Sequence, residues 1–428
     1  MEGVVTSEAP ASAPADRSTA AGACRFCGAP LATTFVDLGL SPLANSYVEP
    51  ADLGRGERFY PLHVMLCDAC LLVQLPEVES PQAIFSDYAY FASYSESWLA
   101  HARDYAARMV ERFGLGPGHR VVEIASNDGY LLRWFAERGI PVLGVEPAAN
   151  VAAAAEAIGI PSRVAFFGSD LGRQLVAEGV RADLLVGNNV LAHVPALNDF
   201  VAGLATLLAP DGVLTMEFPH LLRLIDEAQF DTIYHEHFSY FSFATVRRVF
   251  AAHGLELFDV EELPTHGGSL RIYARHRDGK GEPVGPRVAD LLAREAAAGL
   301  AGAAGHRGFA KRVAEVRRDL LRFLLDAAEA GKTVVGYGAP AKGNTLLNYC
   351  GVRGDLLAYT VDRSPHKQGR FLPGTRIPIH APERILETRP DYVLILPWNL
   401  KDEVMGQMAA VRSWGGRFVV AVPRLTVL

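Results

Sequence analysis

The stretch Arg120-Val-Val-Glu-Ile-Ala-Ser-Asn-Asp-Gly-Tyr130 decides the fold. Residues 120–124 read as a short apolar strand, 125–129 as a polar turn and 130–138 as a helix. Pro141-Val-Leu-Gly-Val-Glu146 then supplies a second strand at βαβ spacing. Outward from this unit, residues 182–188 and 212–217 continue the strand series, with segments of helical length between them. That alternation predicts a mainly parallel, doubly wound sheet with ligands at the strand carboxyl ends. Beyond Gly331 the pattern starts again, with a strand at 332–337, a Gly-rich turn, a helix, and strands at 357–362 and 391–396. Residues 309–325 carry apolar side chains at helical intervals and read as a bridging helix between the two alternations.

The chain has 428 residues, half of them hydrophobic, which implies two to four domains. Asp plus Glu exceed Lys plus Arg by 48 to 41, for a formal charge of −7, so no basic field exists to hold a nucleic acid. Mean hydropathy is +0.12, yet no apolar run approaches the length needed to span a bilayer. Residues 1–22 have neither a basic start nor an apolar segment and are rich in Ala, Pro and Ser. They are expected to form a disordered tail on a cytoplasmic protein. Oligomeric state, monomer or dimer, leaves no trace in the sequence.

Of five cysteines, Cys24 and Cys27 form one C-x-x-C pair, Cys67 and Cys70 another, and Cys350 stands alone. In a reducing compartment two such knuckles present four thiolates tetrahedrally to Zn²⁺. A closed Cys₄ site is expected to be structural, since it leaves no open coordination position. A redox role is the alternative, weakened because neither pair opens a helix in a βαβ pattern.

At the first turn, Glu123, then Asn127-Asp128-Gly129, then Glu146 at the end of the next strand make a nucleoside-binding constellation. The turn lets backbone approach a ligand, and the second acid suits ribose hydroxyls. Only Gly129 remains of a G-x-G-x-x-G, and Asp128 would repel a pyrophosphate. The turn therefore suits a ligand without phosphates, such as S-adenosylmethionine.

Taken together, the two C-x-x-C pairs, Tyr94-Ser-Glu-Ser-Trp98, Glu123-Ile-Ala-Ser-Asn-Asp-Gly129, Asn188-Asn-Val-Leu-Ala-His193, Tyr234-His-Glu-His237-Phe-Ser-Tyr240, His266-Gly-Gly-Ser-Leu-Arg271 and Gly336-Tyr-Gly-Ala-Pro-Ala-Lys-Gly-Asn344 resemble the sugar C-methyltransferases of antibiotic biosynthesis. The likeness runs in order along nearly the whole chain after the tail. It implies an α/β protein with a small N-terminal zinc-binding domain (23–82), a central Rossmann-like S-adenosylmethionine domain (83–300) and a C-terminal Rossmann-like domain (301–428). It also implies methyl transfer to C3 of a dTDP-4-keto-6-deoxysugar. That reaction needs a base beside the carbonyl and a donor for the enolate oxygen. His237 resembles the family's base, with Glu236 and Tyr234 binding keto or hydroxyl groups, and His193 with Tyr88 or Tyr90 completing the pocket. Making His193 the base and His237 the oxyanion donor is the other division of labour. Ser126, Asn188, Asn189 and Trp98 join the cofactor set on the same likeness, and Arg271 the substrate set.

The second Gly-rich loop, Gly336-x-Gly338 through Lys342-Gly-Asn344, follows a strand and opens a helix. Its N–H groups and Lys342 suit a pyrophosphate. Asp362, Ser364, His366 and Lys367 follow the next strand and complete a candidate nucleotide-sugar site. An NAD-dependent oxidoreductase is the rival reading, disfavoured because the third glycine is displaced and Pro340 occupies the turn. A non-catalytic zinc-bearing scaffold is a third.

Overall fold

The structure is a computed structural model that describes residues 22–82, 92–94 and 96–428. Among these residues the strands form three sheets. The central one has the order β10-β11-β8-β7-β4-β5-β6, built from Leu255–Leu263 (β10), Ser269–His276 (β11), Leu208–Pro219 (β8), Ala182–Asn188 (β7), Val121–Ile124 (β4), Val142–Val145 (β5) and Ser162–Arg163 (β6). Strands β8 to β6 run parallel, while β11 lies antiparallel between β8 and β10. From β4 the chain moves outward to β5 and β6, then returns to β7 on the other side. The topological switch point therefore falls between β4 and β7, where open α/β sheets bind ligands. Strand β4 is buried at every position, as a parallel strand covered on both faces must be, yet it carries an acid, Glu123.

The third sheet repeats this logic with the order β14-β13-β12-β15-β16-β17, from Ile379–His380, Thr360–Val361, Val334–Tyr337, Tyr392–Ile395, Arg417–Val420 and Thr426–Val427 respectively. Its switch point lies between β12 and β15. The helix Phe309–Glu329 covers the sheet with Phe309, Val313, Val316, Leu320, Leu324 and Ala327, spaced by three or four residues and all buried.

The first sheet is antiparallel, pairing Thr33–Ser41 (β1), Tyr60–Leu66 (β2), Val73–Gln74 (β3) and Ser239–Tyr240 (β9). A unit this small cannot enclose a sufficient core, and it borrows two. Phe35, Val36, Leu62 and Val64 share a core with the helix Phe309–Glu329 and the third sheet, Phe35 stacking on Phe309 at 4.7 Å between ring centroids. The cysteine end instead packs with Phe243, Val246 and the central sheet. Strand β9 enters the sheet directly after the Tyr234–His237 segment, so that segment hangs between all three sheets.

Candidate active site

The four cysteines converge. Cys24 and Cys70 sulfurs are 3.5 Å apart, Cys27 and Cys67 sulfurs 3.6 Å, and all four lie within 4.8 Å of one another. Tetrahedral zinc with bonds of about 2.3 Å demands sulfur separations of about 3.8 Å, so the donor set fits the ion. Each knuckle turns through a left-handed residue, Gly28 in one and Leu71 in the other. Convergence of four thiols, rather than two independent pairs, matches a metal centre better than a redox couple.

At the first switch point Glu123 is fully buried, and burial pushes its carboxyl well above the ordinary range, Asp128 and Glu146 adding like-charge repulsion. Ser126 Oγ and Asp128 Oδ1 find no hydrogen-bond partner among the described residues, while Glu123 and Asn188 face the Tyr130 hydroxyl. Buried polar atoms left open in one crevice mark a polar ligand's place. Asn127 and Gly129 both have positive φ, which folds the turn back on β5. Glu146 accepts the N–H groups of Asn127 (3.0 Å) and Ala148 (2.9 Å), and these bonds partly offset the upward push of burial on its carboxyl. Each oxygen keeps a second lone pair for a ribose hydroxyl. The residues present therefore suit S-adenosylmethionine.

Trp98 and Asn189 close the crevice around a residue whose role the sequence left unassigned. The Trp98 ring meets His101 at 4.9 Å and His266 at 5.3 Å, and Asn189 Nδ2 lies 3.0 Å from His266 Nε2. His266 sits in the left-handed region (φ 54°), followed by Gly267 and Gly268 at positive φ. A Cβ on Gly267 would come within 2.5 Å of the Trp398 ring, so the His-Gly-Gly turn needs its glycine to reach the C-terminal sheet.

Arg271 is a correction. Expected at the substrate, it is wholly enclosed in β11, bonded to Glu217 (2.9 Å) and Glu261 (3.1 Å), with its guanidinium over the Tyr105 ring. Glu217 also accepts from Thr265 Oγ1 (2.9 Å) and meets His101 at 3.0 Å. Burial opposes ionisation of Glu217, but His101, Arg271 and Thr265 together hold its carboxyl at about 2. Removing one partner of such a buried pair strands the other charge. Arg271→Met is expected to cost about 3–5 kcal/mol of stability, measured by denaturant unfolding. A change below about 1 kcal/mol would show that the pair is dispensable.

The Tyr234–His237 segment brings its predicted residues together. The Tyr234 and His237 ring centroids are 4.0 Å apart, and the His193 ring stands edge-on to His237 at 4.7 Å. His237 Nδ1 is 2.8 Å from the Thr232 carbonyl oxygen. A carbonyl only accepts, so Nδ1 carries the proton and Nε2 presents its lone pair. Burial holds His237 well below the ordinary imidazole range, with His193 adding to the effect, and burial takes His193 down to about 4. Both rings are neutral at pH 7. Glu236 accepts from Asn45 Nδ2 at 2.7 Å, a contact from the turn after β1 that the sequence did not announce. Tyr88 and Tyr90 lie outside the described residues.

The second switch point departs from the expected phosphate cradle in two respects. Asn344 donates to the Ala44 carbonyl oxygen (2.6 Å) and so docks the N-terminal segment. Lys342 is turned inward, over the Trp398 ring at 4.8 Å and donating to Asn399 Oδ1 at 2.8 Å. Gly338 has φ 90°, and a Cβ there would meet Pro397 at 2.5 Å. Asp362 accepts the Ala339 and Ser364 N–H groups, Lys367 donates to the Ala339 carbonyl oxygen at 2.9 Å, and His366 is exposed at the rim. The helix Ala341–Cys350 opens beside them.

Comparison with known proteins bears on all three segments. Family models match a zinc binding domain at residues 24–85, a methyltransferase domain at 98–260 and a C-methyltransferase C-terminal domain at 264–423. The C-methyltransferase NovU of Streptomyces niveus is 38% identical over 405 residues, covering 95% of this chain and 96% of that protein. Among solved structures, the 1,6-didemethyltoxoflavin-N1-methyltransferase of Burkholderia thailandensis is 18% identical with a TM-score of 0.35, covering 50% of this chain and 96% of that one. The magnesium protoporphyrin IX methyltransferase of Synechocystis PCC 6803 is 16% identical with a TM-score of 0.32, covering 45% and 88%.

Proposed function

This chain belongs to the S-adenosylmethionine-dependent C-methyltransferases, and we propose on that premise that it methylates C3 of a dTDP-4-keto-6-deoxysugar held between its two Rossmann-like sheets. One observation carries the reading: His237 has its proton on Nδ1 and its lone pair on Nε2, and its ring stands 4.7 Å from that of His193, just beyond the end of β7. The Thr265–Gly267 turn of the central part packs on the Trp398–Leu400 turn of the C-terminal part, which brings the two strand ends together.

A carbon beside a ketone becomes nucleophilic only when its proton leaves. In this reading His237 Nε2 takes that proton, the C–H pair becomes a C=C bond, and the carbonyl pair moves to oxygen. Tyr234, Glu236 and His193 bind the sugar's oxygens around the base, and Asn45 orients the Glu236 carboxylate. When bound, S-adenosylmethionine supplies the electrophilic methyl group, its sulfonium C–S bond breaking as the new C–C bond forms. Glu146 holds the ribose, and the buried polar groups of Glu123, Ser126, Asp128 and Asn188 serve the methionine portion. The pyrophosphate lies along the loop from Gly338 to the helix Ala341–Cys350, with Lys367 and His366 at its mouth. Zinc on Cys24, Cys27, Cys67 and Cys70 is structural in this scheme, and a reducing cytoplasm keeps those thiolates available.

Incubation with a panel of dTDP-4-keto-6-deoxysugars and a methyl-labelled donor tests the assignment, label at C3 being the expected result. Label on oxygen or nitrogen would overturn carbon methylation, and binding of NAD but not S-adenosylhomocysteine in calorimetry would favour the oxidoreductase.

A further inference from the structure

We propose that Lys342 supplies the hydrogen bond that holds the enolate oxygen when His237 takes the proton, an assignment that rests on the enolate chemistry above. Its place in a Gly-rich loop at a helix N-terminus would suggest a phosphate ligand, but the side chain does not stay there. Its ammonium crosses the second switch point to Asn399 and the Trp398 face, both at the end of β15. Among the described residues it makes no ion pair within 4.0 Å. Its hydrogen bond to Asn399 uses one of three N–H donors, and the ring face satisfies charge without accepting a conventional hydrogen bond. Burial lowers its pKa and the Asp231 charge draws it back. A partly buried ammonium whose direct contacts, Asn399 and the Trp398 ring, are neutral is prepared for an anion that arises only during reaction.

Three bonds fix where that anion would form. The Trp398 indole N–H donates to Asp231 Oδ2 at 2.7 Å, so the ring beneath Lys342 is clamped to the segment that carries the base. The next residue, Thr232, offers the carbonyl oxygen that sets the His237 tautomer at 2.8 Å. One further on, the Ile233 carbonyl oxygen accepts from Thr345 Oγ1 at 2.9 Å, and Thr345 lies three residues after Lys342 on the same helix. Cation and base are thus tied to consecutive residues, 231 to 233, from opposite sides. Both His237 and His266 are depressed further by the Lys342 charge, burial being the larger cause for each, as expected of groups sharing one cavity. Lys367, by contrast, donates to the Ala339 carbonyl oxygen and pairs with Asp362 at 3.7 Å.

Electron flow balances without another reactant. The proton goes to His237 Nε2, the carbonyl oxygen gains the negative charge facing the ammonium, and the carbonyl is restored as the new C–C bond forms. A donor used this way acts on kcat, whereas a phosphate grip acts on affinity. The experiment compares wild type with Lys342→Met and Lys342→Arg in substrate-dependent deuterium exchange at C3, methyl-transfer kcat and KM, and affinities for dTDP and S-adenosylhomocysteine. For Lys342→Met, exchange and kcat should fall together by about 100–1000-fold. Affinity for dTDP, which has the phosphates but no ketone, should change less than about threefold, as should that for S-adenosylhomocysteine. Should Lys342→Met fail to fold, Lys342→Arg keeps a cation but displaces the donor, and its exchange should fall at least about tenfold with dTDP affinity kept. A tenfold or greater loss of dTDP affinity with kcat retained in either variant would assign the ammonium to phosphate instead. Absence of exchange in the wild type, with every dTDP-4-keto-sugar, would overturn the enolate reading itself.

Discussion

His237→Asn is expected to abolish C3 proton exchange and methyl transfer, a loss of about 10²–10⁴-fold for removal of a positioned base, while leaving S-adenosylhomocysteine affinity nearly unchanged. Asparagine can still donate to the Thr232 carbonyl oxygen from its amide, but it has no lone pair of comparable basicity where Nε2 stood. The residues proposed for the cofactor, Glu123, Asn127, Glu146 and Trp98, lie on other elements, so binding there is insulated from the change. Exchange retained in His237→Asn would transfer the base role to His193, whose ring stands 4.7 Å away.

The pH profile adds an independent check on the same residue. A folded-state pKa depressed by burial means that the neutral, basic form persists as pH falls, and activity disappears only below the ordinary imidazole range. Protonation of His193, held at about 4, and of His266, also at about 4, comes late for the same reason, and the Lys342 charge pushes His237 in the same direction. The acidic limb of kcat/KM should therefore lie well below pH 6.5. A limb centred at 6.5 would place the catalytic imidazole in solvent and contradict this site.

Much of this arrangement is legible in the sequence because of how parallel sheets are buried. Strands covered on both faces must be short apolar runs, so β4, β5, β7, β12 and β15 stand out. An acid within or just after such a run, Glu123 or Glu146, is costly enough to signal a ligand. The rest depends on contacts between distant residues. Asn45 meets Glu236 across 191 positions and Trp398 meets Asp231 across 167, and neither partner carries a local mark. Arg271 misleads for the same reason: in sequence it is a cation near a Gly-Gly turn, and only the insertion of β11 beside β8 shows that Glu217, 54 positions away, has claimed it. His101 reads as an ordinary helical residue until Trp98 and Glu217 enclose it.

Loss of zinc should disable methyl transfer before it unfolds the cofactor domain. The ion's ligands Cys67 and Cys70 immediately precede β3, whose two residues pair with Tyr240 and Ser239 of β9, and Leu75 continues the pairing to the Phe238 carbonyl oxygen at 3.0 Å. Phe238 in turn donates to the Ala192 carbonyl oxygen at 2.7 Å, the residue before His193. A short path of backbone hydrogen bonds thus runs from the metal knuckle to both histidines, and β3 is too short to hold that register unaided. Structural zinc contributes on the order of 10 kcal/mol in small domains, far more than two strand residues can replace. In Cys70→Ser, or after chelation, the Tyr234–His237 segment should loosen, and methyl transfer should fall at least about 100-fold through lost positioning. The core on the Tyr105, Leu131 and Phe135 side of the seven-stranded sheet contains none of the cysteines, so S-adenosylhomocysteine binding should survive. Hydrogen exchange by mass spectrometry would locate the change, with protection lost at residues 65–75 and 234–241 but kept at 121–145. Full activity in zinc-free protein would sever the metal from the active site, and collapse of S-adenosylhomocysteine binding in parallel would mean that the knuckle supports the whole chain rather than this one path.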